Sequence, residues 1–248
     1  MASLYLVDDL AGVLPGESVI LSGQEGRHAV TVARVRQGES LRIADGRGTV
    51  VTGNVTQLGK DTLSLVVAAV QVEPLPTPRL VLVQALAKGG RDEMAVQAAT
   101  EIGVDEVVPW AAARSVSRWD GPKVEKGRSR WLSIAQEAAK QSLRARVPAV
   151  GPLTSTAQLA AGGAGLEEHG ALVLLDPTAE QPLSTWSPPS DAPSIALVVG
   201  PEGGIAEEEL SRLTAAGAVR VRLGPSVLRT STAGPAALAI LQARLGRW

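Results

Sequence analysis

The chain has 248 residues, 45% of them apolar, which is enough to bury one large core or two modest ones. It contains no cysteine, so a disulfide framework, thiolate zinc sites and a cysteine nucleophile are excluded. The formal net charge is −1, yet basic residues concentrate in 27–47 and 114–146, a distribution that suits a polyanionic partner bound at one face.

The sequence predicts neither a metal site nor a membrane segment. Its two histidines, His28 and His169, lie far apart in the chain and have no ligand spacing around them. No apolar run approaches the roughly eighteen residues that a spanning helix needs, and the first residues do not resemble a secretory signal. We therefore expect a cytoplasmic protein that binds no structural metal.

Residues 1–73 are predicted to form a small all-β barrel or sandwich. The segments rich in Val, Thr, Ile and Leu are separated by turn signals such as Asp45-Gly46, and they occupy 18–23, 39–48, 49–59 and 61–72. The segment 25–38 is predicted to be a helix that crosses between strands.

A change of pattern follows a proline-rich segment at 74–78, which we predict to be a linker. From 79 to 248, apolar strands alternate with helical patterns, as in a parallel sheet covered by helices on both faces. The predicted strands are 79–86, 106–110, 171–175, 195–199 and 219–223. The predicted helices lie near 91–102, 124–144, 205–216 and 232–245. The fold class is therefore α/β, preceded by a small β domain.

Three of these strands end in unusual loops, LLDPTAE (174–180), VVGPEGGI (198–205) and RLGPSVLRTSTAG (222–234). Glycine lets a backbone approach a ligand closely and proline fixes the loop shape, although Gly-Pro after a strand is also ordinary turn chemistry. Ligands of open parallel sheets bind beyond the carboxyl ends of the strands, so we predict the site here. Ser231 or Thr232 is predicted to cap the helix that follows the third loop.

The middle loop indicates the kind of ligand. Its GPEGG sequence at 200–204 is neither GxGxxG nor GxxxxGK[ST], and Glu202 would lie beside any bound phosphate. The first α/β strand also lacks GxGxxG after it, which argues against a dinucleotide-dependent oxidoreductase. An acidic loop suits a cationic or neutral ligand better. S-adenosylmethionine carries a sulfonium, and backbone groups of such loops can hold its adenine.

Several segments, in order along the chain, resemble the RsmE family of 16S rRNA (uracil-N3)-methyltransferases, which belongs to the SPOUT class. LVVGPEGGI (197–205) and RLGPSVLRTSTAGPAALAIL (222–241) carry the resemblance, together with 85–115 and 131–150. The segment 26–48 is similar to the PUA-like RNA-binding barrel of that family.

The resemblance implies a SPOUT-type domain that threads a trefoil knot, a homodimer, and 16S rRNA within the assembled small ribosomal subunit as the substrate. It assigns the cofactor to three loops. These contain Leu175, Asp176 and Pro177; Val199, Gly200, Pro201, Glu202, Gly203 and Gly204; and Leu223, Gly224, Pro225, Ser226, Val227 and Leu228. The family often has Arg in place of Ser226 and Glu in place of Ser231, so a mechanism that needs either of those side chains is in doubt here.

Methylation of uracil N3 requires that the N3 proton leave, either to a general base or with a cation stabilising the resulting anion. Arg229 is the candidate cation, although it can instead pair with a carboxylate and brace the loop. Glu202 is the candidate carboxylate for proton removal or substrate orientation. Its alternative role is to accept backbone N–H bonds and shape the loop.

RNA contacts are predicted on both parts of the chain. Phosphate contacts give affinity without sequence information, so the target uridine is expected to be selected by shape and by the pocket. Trp119 is predicted to stack on a base, whereas Trp131 fits a core position. His28 can instead be a capped or buried barrel residue. The predicted contacts are His28, Arg34, Arg36, Arg114, Arg118, Trp119, Lys123, Lys126, Gln141 and Arg144.

Two alternative functions remain open on the sequence. One is a related SPOUT enzyme that methylates a ribose 2′-hydroxyl, because glycine-glutamate loops recur across that class. The other is a non-catalytic rRNA-binding assembly factor, which Ser226 and Ser231 would fit.

Overall fold

The structure is a computed structural model that describes residues 4–163 and 170–248, so His169 lies outside the described residues. The chain divides into two compact units. The first contains the described residues up to Leu75 and the segment Ala139–Val147, and the second contains those of 76–138 and 148–248. The return of Ala139–Val147 to the first unit is not part of the predicted organisation, in which the first domain ends at 73.

The first unit is built on a five-stranded sheet with the order β1-β3-β4-β5-β2. Its strands are β1 (Leu4–Leu6), β2 (Ser18–Leu21), β3 (Ser40–Ala44), β4 (Thr49–Leu58) and β5 (Leu63–Val72). Only the β1–β3 pair is parallel. Residues alternate between buried and exposed along β5, as expected for a sheet with one face on a core.

A short helical segment connects β2 to β3. It consists of α1 (Gly23–Arg27) and a π-helical turn at His28–Val32, so it is shorter than the predicted helix 25–38. The physical reason is the left-handed backbone of Arg34, with φ of 54°, which cannot continue a right-handed helix.

The second unit contains a parallel sheet with the order β12-β10-β11-β6-β7-β8. Its strands are β6 (Arg79–Ala85), β7 (Glu106–Ala111), β8 (Ala149–Val150), β9 (Thr154–Ser155), β10 (Ala171–Leu175), β11 (Ser194–Val199) and β12 (Val219–Val221). The short β9 pairs with β7. Every residue of β11 is buried, which confirms the prediction of strands covered on both faces.

Helices connect these strands. They are α2 (Arg91–Ile102), α3 (Pro122–Gln141), α4 (Thr156–Ala160), α5 (Glu207–Ala215) and α6 (Thr230–Arg244). The α/β prediction is confirmed, while α4 and the short β8 and β9 were not predicted. None of the helices in the described residues is long and apolar enough to span a membrane.

The first residue of α6 differs from the prediction. Arg229 is the N-cap, with an extended backbone, and its side chain makes no capping hydrogen bond. Ser231 and Thr232 are therefore not the capping residues, because the helix begins at Thr230 and both already lie in its first turn.

The strand order positions the site. From β6 the chain extends the sheet through β7 and β8 in one direction, while β11, β10 and β12 extend it in the other. The direction of winding thus changes between β6 and β11. Such a switch point opens a crevice at the carboxyl edge, and the loops after β10, β11 and β12 emerge there.

Candidate active site

A cavity of about 540 Å³ lies at this edge of the second unit. All three predicted loops contribute to its wall, which confirms that the strand ends converge. The predicted cofactor residues that line it are Leu175, Asp176, Pro177, Val199, Gly200, Pro201, Glu202, Gly204, Leu223, Gly224, Ser226, Val227 and Leu228.

Two residues of the predicted set, Gly203 and Pro225, do not line this cavity. A Cβ atom on Gly203 would lie 3.3 Å from the Cβ of Arg114, and the Gly203 carbonyl accepts a hydrogen bond from Arg114 Nη1 at 3.1 Å. Gly203 therefore faces the loop after β7. Pro225 is exposed.

The cavity also has residues outside the predicted cofactor set. Arg91, Glu207 and Leu210 belong to α2 and α5. The others lie within the three predicted loop segments, and they are Thr178, Ile205, Arg229, Thr230 and Ala233. Of these, only Arg229 had been predicted at the site. Arg91 follows β6, so extending the strand-end argument to this first α/β strand would have found it.

Glu202 joins two loops. Its Oε1 accepts hydrogen bonds from the Lys88 backbone N–H at 3.2 Å and from Arg91 Nη1 at 3.0 Å. Burial acts to raise the pKa of Glu202, but its hydrogen bonds with backbone N–H groups and with Arg91, and the charge of Arg91, outweigh it and lower the pKa. The geometry thus favours the alternative in which Glu202 shapes the loop, because a carboxylate with a lowered pKa is a weak base.

Asp176 anchors the loop after β10. Its carboxylate is buried and accepts hydrogen bonds from Arg220 Nε at 2.6 Å and from the backbone N–H and hydroxyl of Thr178, both at 2.9 Å. Burial acts to raise the pKa of Asp176, but these hydrogen bonds and the charge of Arg220 outweigh it, so the pKa lies below its ordinary value. Asp176 is therefore ionised and held in place at the cavity wall.

Buried hydrogen bonds connect the middle loop to α6. The Thr230 hydroxyl donates to the Gly200 carbonyl at 2.8 Å and accepts from Gln84 Nε2 at 2.8 Å. Gln84 and Thr230 are both buried. These hydrogen bonds fix the direction of the Gly200 carbonyl relative to the N-terminus of α6, where Arg229 is the N-cap.

Arg229 is exposed at the cavity rim. Its carbonyl accepts from the N–H groups of Thr232 and Ala233, which holds the backbone in the N-cap geometry. Within the parts of the chain that the structure describes, its guanidinium forms no ion pair with a carboxylate. Among the described residues, Arg229 therefore has no carboxylate with which it could brace the loop. Its guanidinium is available to a ligand at the cavity rim.

The predicted RNA contacts of the second unit differ in their surroundings. Arg118, Lys123 and Lys126 are exposed, but Arg114 is bonded to the middle loop. Trp131 is buried, as predicted. Trp119 is half-buried and packs edge-to-face against it, with the ring centroids 5.3 Å apart, so it has a structural contact that the sequence did not indicate.

The predicted contacts of the first unit lie mostly at its surface. His28, Arg34, Arg36 and Gln141 are exposed, and Arg144 is half-buried. The His28 ring lies 6.1 Å from that of Tyr5 and is not a buried barrel residue. No group of three or more potential metal-ligating side chains is present in residues 4–163 and 170–248.

Comparison with known proteins identifies both parts of the chain. Residues 73–242 match the sequence family described as "RNA methyltransferase domain", and residues 21–68 match "RNA methyltransferase PUA domain". The chain is 43% identical to the ribosomal RNA small subunit methyltransferase E of Mycobacterium tuberculosis, over 100% of this chain and 94% of that protein. It is 34% identical to the Bacillus subtilis protein of the same name, with 86% and 85% covered.

Solved structures of similar proteins have the same fold. The ribosomal RNA small subunit methyltransferase E of Neisseria gonorrhoeae, bound to S-adenosylmethionine, superimposes with a TM-score of 0.86 at 27% identity and 98% coverage of both chains. A putative methyltransferase of Legionella pneumophila, in complex with the same cofactor, has a TM-score of 0.84 at 30% identity and 98% coverage of both chains. The chain therefore belongs to the ribosomal RNA small subunit methyltransferase E family.

Proposed function

We propose that this protein transfers a methyl group from S-adenosylmethionine to N3 of one uridine in the RNA of the small ribosomal subunit. Its relatives are small-subunit rRNA methyltransferases, and structures similar to it contain the cofactor. The observation that carries the proposal is the cavity at the switch point, which three strand-end loops and the rim cation Arg229 line together.

The cavity suits the cofactor in shape and charge. Leu175, Val199 and Leu223 supply apolar wall, and Glu207 places negative charge near it, which is favourable for a sulfonium. The charge of Glu202 is offset by its ion pair with Arg91. Gly224 leaves open space, since a Cβ atom there would have no protein atom within 4 Å. When bound, the cofactor supplies an electrophilic methyl group.

The residues of this chain act on the acceptor. Arg229 is positioned to stabilise the negative charge that develops on a uracil carbonyl oxygen when N3 releases its proton to solvent water, and the N3 lone pair then displaces the sulfide from the methyl group. Glu202 keeps the middle loop and the segment Lys88–Arg91 together through its hydrogen bonds, rather than taking the proton. Much of the acceleration is expected from holding the uracil and the methyl donor in line, so no single side chain need be indispensable.

We also propose a chain topology, an oligomeric state and an RNA substrate for this protein. We propose that the second unit threads a trefoil knot at the cavity loops and that two copies of the chain form a homodimer. The substrate is proposed to be 16S rRNA within the assembled small subunit, which places the protein in the cytoplasm. The domain that matches the PUA description carries His28, Arg34 and Arg36 on its surface, which supports a contact between this domain and the RNA.

The test is mass spectrometry of nucleosides from unmethylated small subunits after incubation with the protein and the cofactor. The expected product is 3-methyluridine. A ribose-methylated nucleoside in its place would refute the acceptor and favour a 2′-hydroxyl. No methylated product despite cofactor binding would favour a non-catalytic assembly factor.

A further inference from the structure

A second cavity of about 440 Å³ lies in the same unit, and the proposed mechanism makes no use of it. Its wall includes the loop 87–90, the first turn of α2, the loop after β7 and one side of α3. The segment 88–91 separates it from the cofactor cavity. Lys88 and Gly89 line the second cavity, whereas Arg91 lines the first and is bonded to Glu202.

The separating segment is held by hydrogen bonds on both sides. The Lys88 N–H donates to Glu202 at 3.2 Å, on the side of the first cavity. On the other side, the buried carboxylate of Asp92 accepts from the Ala87 N–H at 3.1 Å and from the Glu93 N–H at 2.9 Å. Neighbouring residues of this one segment therefore line the two cavities, and hydrogen bonds hold the segment in place.

Trp119 is the largest side chain on the second cavity that is not fully buried. Gly127, in the second turn of α3, lies directly over its indole. A Cβ atom at position 127 would be 2.4–2.6 Å from the Trp119 atoms Cε2, Cδ2 and Cζ2. A glycine inside a helix costs about 1 kcal/mol relative to alanine, and here it is needed to seat the ring.

Trp131 fixes the indole further. Its ring is buried and lies at 74° to that of Trp119. With one face on Gly127 and Trp131 packed against it, Trp119 has a fixed orientation, and the uncovered part of its ring borders the cavity. A rigid, partly exposed indole of this kind is a stacking platform for a nucleobase.

Cations lie beside this platform. Lys88 and Arg130 line the cavity and are exposed, and Arg130 is oriented by a hydrogen bond from Nη2 to Glu93 Oε2 at 3.0 Å. Arg118 precedes Trp119 in the chain and is exposed. An aromatic face with exposed cations at its margin fits a nucleobase together with its phosphate.

We propose that the second cavity binds an unpaired nucleotide of the RNA substrate that neighbours the target uridine. Its base stacks on Trp119 and its phosphate contacts Lys88 or Arg130. Because neighbouring residues of the segment 88–91 line both cavities, a base held here places its neighbour at the cofactor cavity. Because any base can stack, the subsite strengthens RNA binding and positions the RNA along the site. It does not select a particular base. This inference rests on the proposed function.

The experiment measures methylation of unmethylated small subunits at saturating cofactor by the wild type and by three variants. Trp119→Leu keeps apolar bulk against Gly127 and Trp131 but removes the stacking ring, while Trp119→Phe keeps an aromatic ring. Trp248→Leu is the matched control, because Trp248 is exposed in the same unit and does not line this cavity.

We expect Trp119→Leu to raise KM for the subunit roughly 5- to 150-fold, the range for loss of one stacked base. Its kcat and the calorimetric affinity for S-adenosylmethionine should stay near wild type. Trp119→Phe should restore most of the loss, and Trp248→Leu should behave as wild type.

An unchanged KM in Trp119→Leu would overturn the proposal. A Phe variant as impaired as the Leu variant, with cofactor affinity reduced in both, would show that Trp119 serves only packing.

A second measurement keeps this test separate from that of the proposed function. Fluorescence anisotropy with a labelled single-stranded oligouridylate reports binding whether or not methylation occurs. Weaker binding by Trp119→Leu, but not by Trp119→Phe, supports the subsite, and equal binding by wild type and Trp119→Leu contradicts it. Failure of the wild type to methylate subunits would instead refute the proposed function, and the anisotropy result would still decide the cavity.

Discussion

At the scale of single residues, Glu202 illustrates how surroundings determine the role of a carboxylate. It lies in the loop after β11 and lines the cofactor cavity, where a general base would be expected. Its hydrogen bonds with the Lys88 backbone and the Arg91 side chain lower its pKa despite partial burial. It is therefore ionised at neutral pH and is better suited to holding two loops together than to accepting a proton.

Replacement of Glu202 by glutamine tests this role. The amide oxygen can still accept from Lys88 and Arg91, so we expect kcat at saturating cofactor to fall by less than about tenfold, whereas loss of a general base costs about 10²- to 10⁴-fold. Glu207→Gln is the control, since it removes another carboxylate from the same cavity. A fall of a thousandfold in Glu202→Gln alone would show that Glu202 accepts the proton.

Arg229 is predicted to act on the transition state. Arg229→Ala should lower kcat by about 10²- to 10³-fold, as does removal of one electrostatic stabiliser, because the uracil anion loses its cation. The affinity for S-adenosylmethionine, measured by calorimetry, should change far less. Arg212→Ala on the exposed side of α5 is the control. A collapse of cofactor affinity in Arg229→Ala would instead assign it to the structure of the loop.

At the scale of elements, the loop after β10 is held by an ion pair between the buried Asp176 and the partly exposed Arg220, and this makes the stability of the fold depend on pH. The folded-state pKa of Asp176 is lowered, so the unfolded chain binds more protons at this site in the acidic range. Asp176 thus contributes stability above the ordinary aspartate pKa and loses that contribution as the pH falls through its lower folded-state pKa.

Asp176→Asn should therefore be less stable than the wild type at neutral pH, and the difference should shrink as the pH falls below both pKa values. Urea unfolding over a series of pH values measures it. The control is Asp191→Asn, which changes an exposed aspartate in the same unit. A difference that is constant with pH would mean that the charge of Asp176 does not stabilise the fold.

The elements also show which features the sequence predicts. The apolar runs of β6, β10 and β11 and the period of α2 are local signals, and the predicted bounds agree with the structure to within a residue or two. The two-residue strands β8 and β9 are too short to carry a period, so they were missed. The start of α6 was misplaced because three consecutive hydroxyl residues, Thr230 to Thr232, offer equivalent caps in the sequence.

The features of the site also divide into those that the sequence predicts and those that it does not. Glycine and proline after strands predicted the three loops because they reflect backbone geometry that a ligand requires. The partners of the side chains were not predictable, since Glu202 meets Arg91, and Thr230 meets Gln84, only after the sheet brings distant segments together. The second cavity had no signal beyond Trp119, because its wall comes from four separate segments.

At the scale of the whole molecule, RNA binding should depend strongly on salt. Lys123 and Lys126 are exposed, one turn apart, on α3. If both contact phosphates, the double variant Lys123→Ala, Lys126→Ala should reduce the slope of log affinity against log salt by about two, since each phosphate contact contributes about one. Lys60→Ala, an exposed lysine in the turn between β4 and β5, is the control. A slope equal to that of wild type would exclude these lysines from the interface.

The central claim is that the cavity bounded by the three strand-end loops is the cofactor site, and Gly224 allows a direct test. It lines the cavity, its φ is not positive, and a Cβ atom there would have no protein atom within 4 Å. Gly224→Leu should therefore fold normally and occupy space that the ligand needs, whereas Ala215→Leu adds similar bulk at an exposed position of α5 outside the cavity.

The decisive measurement is calorimetric titration of S-adenosylmethionine into the wild type and these two variants. The wild type and Ala215→Leu should bind the cofactor with the same affinity, and Gly224→Leu should bind at least about tenfold more weakly, a loss of about 1.4 kcal/mol. Undiminished binding by a folded Gly224→Leu variant, or no binding by the wild type at millimolar cofactor, would contradict the assignment of the cavity.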